Sequence, residues 1–314
     1  MNRLEPLKFR PSLREKIWGT QDLRPVLGRV DGRIGEAWCL YDGSEVAHGP
    51  LTGRRIDSLI AEFGTRMMGR GWTGSGDDGP RLPIIAKLLF CAGNLSIQVH
   101  PDARQSDNRR GKTELWYIIA AEPGARLGLS LDTSLDPGRL AGAARDGTID
   151  RLMHWVPAHP GDCVLLPAGT LHSAGGGAVL CEIQQNSDVT YRLYDYGRPD
   201  LDGRLRALDV DRAVAAVDLH SRPAPRAPQL MDDGSCRVES LGKCPHFLTE
   251  LLSWDSPFIY MPDRRRIHLL VCIRGCGSMA GISFEAGDAF LVPAEAARFP
   301  VDGIEAQVVR AHVP

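Results

Sequence analysis

Apolar and polar residues alternate between residues 95 and 100, and this pattern predicts a β-strand. The leucine, isoleucine and valine of this strand would face a core. Ser96, Gln98 and His100 would share the opposite face. The amide of Gln98 and the imidazole of His100 are therefore expected to point in the same direction.

Two further strands are predicted to bring polar side chains to the same place. The segment 113–120 begins a strand on which Glu114 shares a face with Lys112. The segment 161–172 is an apolar strand that starts at a Gly-Asp turn and ends at a Pro/Gly turn, which presents His172. Two imidazoles, a carboxylate and an amide oxygen form a ligand set that suits Zn²⁺ or another divalent first-row metal. The predicted ligands are Gln98, His100, Glu114 and His172.

A helical pattern interrupts the strands at about residues 131–156. Pro137 after Asp136 fits the first turn of a helix, and Gly147 separates two short helices. We therefore predict a small helical insert between strands.

The chain turns polar and proline-rich after residue 199, and we assign residues 206–234 to a linker between two domains. The linker would follow a domain at 1–205 and precede a second one at 235–314. The second domain contains a weak copy of the first, because Gly287–Pro293 repeats the spacing of Gly161–Pro167. The copy places Arg298 where His172 stands, so we predict that this domain holds no metal and is structural.

Composition narrows the classes of protein. With 37 basic and 39 acidic residues in 314, the chain has no charge excess for binding nucleic acid or an anionic membrane surface. It lacks both an apolar run long enough to span a bilayer and a signal-like start, so we expect a cytoplasmic protein. Its eight cysteines form no C-x2-C pair, and the four in apolar runs are expected to be buried free thiols. These four are Cys91, Cys163, Cys181 and Cys272.

Ordered motifs resemble a known family. The pattern G-x5-P-x-G-x2-H from Gly161 to His172 matches the second signature of cupin barrels, whereas the first signature is only echoed, with Gln98 in place of a histidine. The motifs LSIQVHPD, GKTE-x-WY, PAGT-x-H and SDVTYR resemble type I mannose-6-phosphate isomerase, especially its short bacterial form, over roughly residues 5 to 205. The resemblance implies a mainly β fold with two cupin-type (jelly-roll) β-barrel halves. It also implies one Zn²⁺ per chain, held by the four residues named above.

The resemblance further implies an aldose-ketose isomerase that interconverts mannose 6-phosphate and fructose 6-phosphate through an enediol. The partner would be a small sugar phosphate, and the protein a monomer or homodimer. The expected catalytic residues are Lys112, Glu182 and Arg192. Lys87, Ser96 and Arg198 are expected to bind substrate. Two departures from the family motifs, at Ala103 and Ser173, lie beside the ligands and bear on fine substrate preference.

Two alternatives use the same fold. A non-heme iron cupin dioxygenase would favour two histidines and one carboxylate with open positions, and the additional Gln98 and the lysine-rich pocket argue against it. A sugar-binding cupin without turnover is disfavoured by the retained Glu182 and Arg192. The residues leave open whether Glu182 or a pocket lysine removes the C2 proton.

Overall fold

The computed structural model describes residues 3–72, 79–132 and 135–314. In chain order its first strands are β1 (Leu7–Phe9), β2 (Ser12–Asp22), β3 (Arg29–Leu40), β4 (Ile84–Cys91), β5 (Ile97–Val99), β6 (Glu114–Ala121), β7 (Arg126–Leu131), β8 (Met153–Pro157), β9 (Cys163–Leu166), β10 (Leu171–Ala174), β11 (Ala178–Gln185) and β12 (Tyr191–Tyr194). The later strands are β13 (Gln229–Asp233), β14 (Arg237–Lys243), β15 (Leu248–Trp254), β16 (Phe258–Tyr260), β17 (His268–Met279), β18 (Ile282–Glu285), β19 (Ala289–Val292) and β20 (Phe299–His312). The helices are α1 (Ile56–Phe63), α2 (Thr65–Met68), α3 (Pro137–Asp146), α4 (Ile149–Leu152) and α5 (Val210–Ala216).

These strands form antiparallel sheets, which confirms the prediction of a mainly β fold. Within the described ranges, one sheet has the order β2-β3-β4-β11-β6-β9 and a second has the order β12-β5-β10-β7-β8. We call them the middle sheet and the outer sheet. The third, or C-terminal, sheet has the order β1-β19-β17-β20-β15-β14-β13, with β16 on β20 and β18 on β17.

The middle sheet buries side chains on both faces because they alternate between two cores. Trp116 and Ile118 of β6 pack against Leu127 of the outer sheet. Leu115 and Tyr117 of the same strand belong to the core shared with the C-terminal sheet. The helices α3 and α5 cover the opposite face of the outer sheet. The fold is therefore layered, and the predicted metal ligands lie on, or directly after, strands of the two facing sheets of the first half.

Strand pairing crosses the domain boundaries expected from the sequence. β1, near the start of the chain, pairs with β19 and so extends the C-terminal sheet. The predicted linker 206–234 contains α5 and the strand β13. The division at 1–205, 206–234 and 235–314 therefore remains a prediction about domains, while the sheets are built from both halves.

The helical insert is narrower than predicted. Its helices α3 and α4 span 137–152, whereas Met153–Val156 belongs to β8, and residues 133 and 134 lie outside the described ranges. Gly147 separates the helices at a left-handed φ of 77°, a conformation that glycine adopts without steric cost. None of the helices in the described parts of the chain has the length and apolarity needed to cross a bilayer. The four cysteines of the apolar runs are buried free thiols, as predicted.

Replacing Asp136 with alanine is expected to lower the free energy of unfolding by about 1 kcal/mol. The Asp136 carboxylate accepts a hydrogen bond from the backbone N–H of Arg139 at 3.0 Å and so caps α3. Urea unfolding would measure the loss. Arg139→Ala is the matched control, because it keeps the backbone N–H and changes only an exposed side chain. Equal stability of the two variants would contradict the capping role.

Candidate metal centre and cavity

The predicted ligands come together where the outer and middle sheets face each other. Gln98 lies on β5 directly opposite His172 on β10. His100 follows the end of β5, and Glu114 is the first residue of β6 in the middle sheet. The short strand β5 and the turn before β10 thus direct three side chains toward the carboxylate of Glu114.

The distances fit a single cation. His100 Nε2 lies 3.3 Å from Glu114 Oε2, and His172 Nε2 lies 3.3 Å from Glu114 Oε1. The candidate ligand atoms of these three residues lie within 4.8 Å of one another. Neither oxygen of Glu114 has a hydrogen-bond partner among the described residues, although both are buried. The Lys112 ammonium lies 3.1 Å from Oε2, whereas the His172 imidazole is the only ionisable group of the described ranges within 4 Å of Oε1. Two imidazoles that converge on a buried carboxylate are a donor set that fits a metal ion.

Both imidazoles are oriented by the backbone. His100 Nδ1 lies 3.0 Å from the carbonyl oxygen of Val189, and His172 Nδ1 lies 2.9 Å from that of Thr170. A protonated Nδ1 would donate these hydrogen bonds and direct the Nε2 lone pair into the site, the usual arrangement of metal-bound histidines. Lys112 Nζ lies 2.9 Å from His100 Nε2, so a bound metal would take the place of this contact.

Gln98 is placed beside the other ligands through its amide. Its Nε2 lies 3.3 Å from His172 Nε2, and its Oε1 accepts a hydrogen bond from the Ser96 hydroxyl at 2.9 Å. Rotation of the amide by half a turn would exchange the nitrogen and the oxygen. In that orientation the oxygen would face the site as a neutral ligand.

The charge states suit metal binding. Burial and the nearby Lys112 ammonium lower the pKa of His100 to about 3. Burial also lowers the pKa of His172. Burial would raise the pKa of Glu114, but Lys112 and the two histidines outweigh it and hold this pKa well below its usual range. At neutral pH the site therefore presents neutral imidazoles and a carboxylate, the protonation states that a metal requires.

A cavity of about 310 Å³ adjoins the centre, within the size range of small-molecule sites. Gln98 and Lys112 contribute to its wall, whereas His100, Glu114 and His172 do not, so the cavity meets the centre through Gln98 and Lys112. The predicted catalytic and substrate-binding residues that line it are Lys87, Ser96, Lys112, Glu182 and Arg192. Arg198 does not line it: its guanidinium donates to Asp195 at 3.0 Å and lies over the Tyr196 ring.

Glu182 is held in the cavity wall by its neighbours. It accepts a hydrogen bond from Trp116 Nε1 at 3.0 Å, and Lys87 Nζ lies 3.6 Å from its other oxygen. Burial and the Glu114 carboxylate raise the pKa of Glu182. The pairing of β4 with β11 is unbroken, and Lys87 lines the cavity together with Leu89.

Several cavity residues were not anticipated. Trp38 lies opposite Lys87 in the pairing of β3 with β4, and the Lys87 ammonium lies 4.2 Å from its ring centroid. Alternation of Glu36 and Trp38 with Ala37 and Cys39 was the available sequence signal. Arg206 lies in an irregular segment without periodicity, so no pattern indicated it. The unanticipated lining residues are Lys16, Trp18, Glu36, Trp38, Leu89, Leu95, Trp116, Asp188, Thr190 and Arg206.

Comparison with known proteins supports one family. No family model matches the sequence. The chain is 30% identical over 313 residues to a probable mannose-6-phosphate isomerase of Bacillus subtilis, covering 95% of this chain and 96% of that protein. It is 29% identical over 324 residues to the mannose-6-phosphate isomerase of Streptococcus mutans, covering 98% of each.

Solved structures agree with this result. The crystal structure of a Bacillus subtilis mannose 6-phosphate isomerase superimposes with a TM-score of 0.88 at 27% identity, covering 99% of this chain and 100% of that one. A zinc-bound mannose 6-phosphate isomerase shares the fold, with a TM-score of 0.76 at 16% identity over 99% of this chain and 100% of the other. The predicted cupin-type fold is thereby confirmed. The chain belongs to the mannose-6-phosphate isomerase family.

Proposed function

We propose that this protein interconverts mannose 6-phosphate and fructose 6-phosphate and that it uses one Zn²⁺ per chain. The observation that carries the proposal is the convergence of His100, Glu114 and His172 beside Gln98 and Lys112, two residues that line a sugar-sized cavity. The names of the relatives support the substrate pair. The zinc bound by a mannose 6-phosphate isomerase of the same fold supports the choice of metal.

The metal would be held by the two imidazoles and the carboxylate, with Gln98 as a weak neutral ligand. Zn²⁺ in such a site supplies a Lewis acid that stabilises negative charge on the sugar oxygens, an effect worth several kcal/mol. Three strong protein ligands with a weak fourth are closer to the ligand set of catalytic zinc sites than to the four strong ligands of structural ones.

Proton transfer needs a group in the cavity that can hold a proton near neutral pH. Glu182 is our proposed base for the proton at C2, because burial raises its pKa toward the operating range and Trp116 holds one of its oxygens. Lys112 Nζ lies 3.1 Å from Glu114 Oε2 and lines the same cavity. We propose that this ammonium donates to a sugar oxygen as charge develops there.

Arg192 is our proposed anion-stabilising residue. Its guanidinium lines the cavity, and its buried Nε has no hydrogen-bond partner among the described residues. An unsatisfied buried donor favours an acceptor supplied by the ligand. The sugar oxygens and the phosphate are the acceptors available.

Removal of the metal is expected to abolish isomerisation. Dialysis against a chelator should eliminate fructose 6-phosphate formation in a coupled assay, and one equivalent of Zn²⁺ should restore it, because the charge on the sugar oxygens would otherwise be uncompensated. Mock-dialysed protein is the control. Full activity of metal-free protein would contradict the proposal. Iron content with oxygen uptake would favour a dioxygenase instead.

A further inference from the structure

The cations that line the cavity divide into two groups. Each lysine has a carboxylate partner within the cavity region: Lys16 with Glu36 at 3.3 Å, Lys87 with Glu182 at 3.6 Å and Lys112 with Glu114 at 3.1 Å. The remaining cations of the lining are Arg192 and Arg206. Arg206 is paired with Asp195 at 2.5 Å, and the guanidinium of Arg192 has no carboxylate within 4 Å among the described residues.

The two arginines lie close enough to repel each other. Burial and then the charge of Arg206 lower the pKa of Arg192. Three carboxylates near Arg192 act in the other direction, those of Asp195, Asp209 and Asp200. Asp188, which is exposed, also lines the cavity.

Asp195 neutralises only part of this charge because two arginines share it. Arg206 donates to it through Nε at 2.6 Å and through Nη2 at 2.5 Å, and Arg198 donates to the same carboxylate at 3.0 Å. One carboxylate facing two guanidinium groups leaves a net positive charge. In the described ranges Arg206 directs its Nε and Nη2 groups at Asp195, which leaves Nη1 to donate to a ligand.

The backbone around Arg206 is held in place. The preceding segment forms a tight turn in which Asp200 N donates to Arg204 O at 2.7 Å and Gly203 adopts a φ of 81°. After Arg206, Asp209 N donates to the carbonyl oxygen of Arg192 at 2.8 Å. These bonds fasten the segment to β12, so Arg206 is part of the cavity wall although it lies in the region predicted to be a linker.

We propose that Arg206 binds the phosphate of the sugar phosphate, together with Arg192. Arginine suits this role because its planar fork can hold phosphate oxygens while its other edge stays on Asp195. The inference rests on the proposed function and deepens it. It assigns phosphate recognition to the part of the cavity wall where the cations are arginines and not lysines. It replaces Arg198, which the sequence suggested for substrate binding and which lies outside the lining.

Arg206→Gln in zinc-loaded protein tests this assignment. The KM for mannose 6-phosphate and the inhibition constant for inorganic phosphate should both rise by about 10- to 100-fold, the loss expected for one charge-assisted hydrogen bond. The kcat/KM for unphosphorylated mannose and the zinc content should not change. Arg204→Gln, which alters an exposed arginine two residues away, is the matched control and should behave as the wild type.

The results for Arg206→Gln distinguish failure of the phosphate-binding proposal from failure of the proposed isomerase function. An unchanged KM and an unchanged phosphate inhibition constant in folded Arg206→Gln would overturn it, and so would an equal loss with free mannose, which would indicate a structural role. If Arg206→Gln does not fold, Arg206→Lys replaces it, with a smaller rise in KM expected and an unchanged KM overturning the assignment. If the wild type does not isomerise mannose 6-phosphate, the proposed function fails. Calorimetric titration of both proteins with inorganic phosphate then still tests Arg206. A weaker phosphate affinity of Arg206→Gln supports a phosphate-binding role, and an equal affinity overturns it.

Discussion

Replacing His172 with alanine is expected to remove the bound zinc and to lower the kcat for mannose 6-phosphate by about 10³-fold or more, because several kcal/mol of charge stabilisation would be lost. His172 Nε2 lies 3.3 Å from Glu114 Oε1, and its ring is fully buried against Trp116. The variant would leave the Glu114 carboxylate with fewer partners. Zinc content by elemental analysis and the coupled assay for fructose 6-phosphate would measure the two losses.

His154→Ala is the matched control for this experiment. His154 is exposed, its Nδ1 lies 2.6 Å from an oxygen of Asp132, and it does not line the cavity. The His154→Ala variant should keep both its bound zinc and its isomerase activity. Full isomerase activity of His172→Ala without metal would show that the chemistry does not use the centre. Thermal unfolding of both variants would separate loss of metal from loss of fold.

Replacing Glu182 with glutamine is expected to lower the kcat by about 10²- to 10⁴-fold while zinc stays bound, because a positioned base contributes that much to proton transfer. The amide keeps the shape of the side chain but cannot accept the C2 proton. Steady-state kinetics and loss of deuterium from C2-labelled substrate would measure the effect. Wild-type kinetics in this variant would favour a pocket lysine as the base.

The pH profile gives a second measurement on the same residue. Because burial and Glu114 raise the pKa of Glu182, its active carboxylate form is lost as the pH falls through that raised value. The acid limb of the wild-type kcat should therefore lie above the ordinary glutamate value of about 4.3. Asp188→Asn is a suitable control, since it changes an exposed carboxylate of the same cavity and should leave that limb in place.

The sequence was most informative where apolar and polar positions alternate with a fixed period. Alternation along β5 and β6 and the turn before β10 were sufficient to predict that Gln98, His100, Glu114 and His172 converge, because strand geometry fixes which side chains share a face. Their role as zinc ligands remains a proposal. The cap of α3 at Asp136 was predictable for a similar reason, since caps depend on residues near in sequence.

The remaining features depend on contacts between distant parts of the chain. The pairing of Leu7 with Leu291 joins residues near opposite ends, and no local pattern encodes such a partner. Arg206 reaches the cavity through a turn whose hydrogen bonds are visible only in three dimensions. Arg198 carries the same charge and is nearer the SDVTYR motif, so the family resemblance points to Arg198 and not to Arg206.

The middle sheet, which buries side chains on both of its faces, sets a limit on shortening this protein. A gene fragment encoding only residues 1–205 would produce a chain whose Leu88, Tyr117 and Ile183 had lost their cover from the C-terminal sheet. A contiguous apolar surface of that kind promotes aggregation in water. Anyone seeking a minimal catalyst must therefore retain the C-terminal half or design a substitute for it, even though that half contributes no residue to the metal centre.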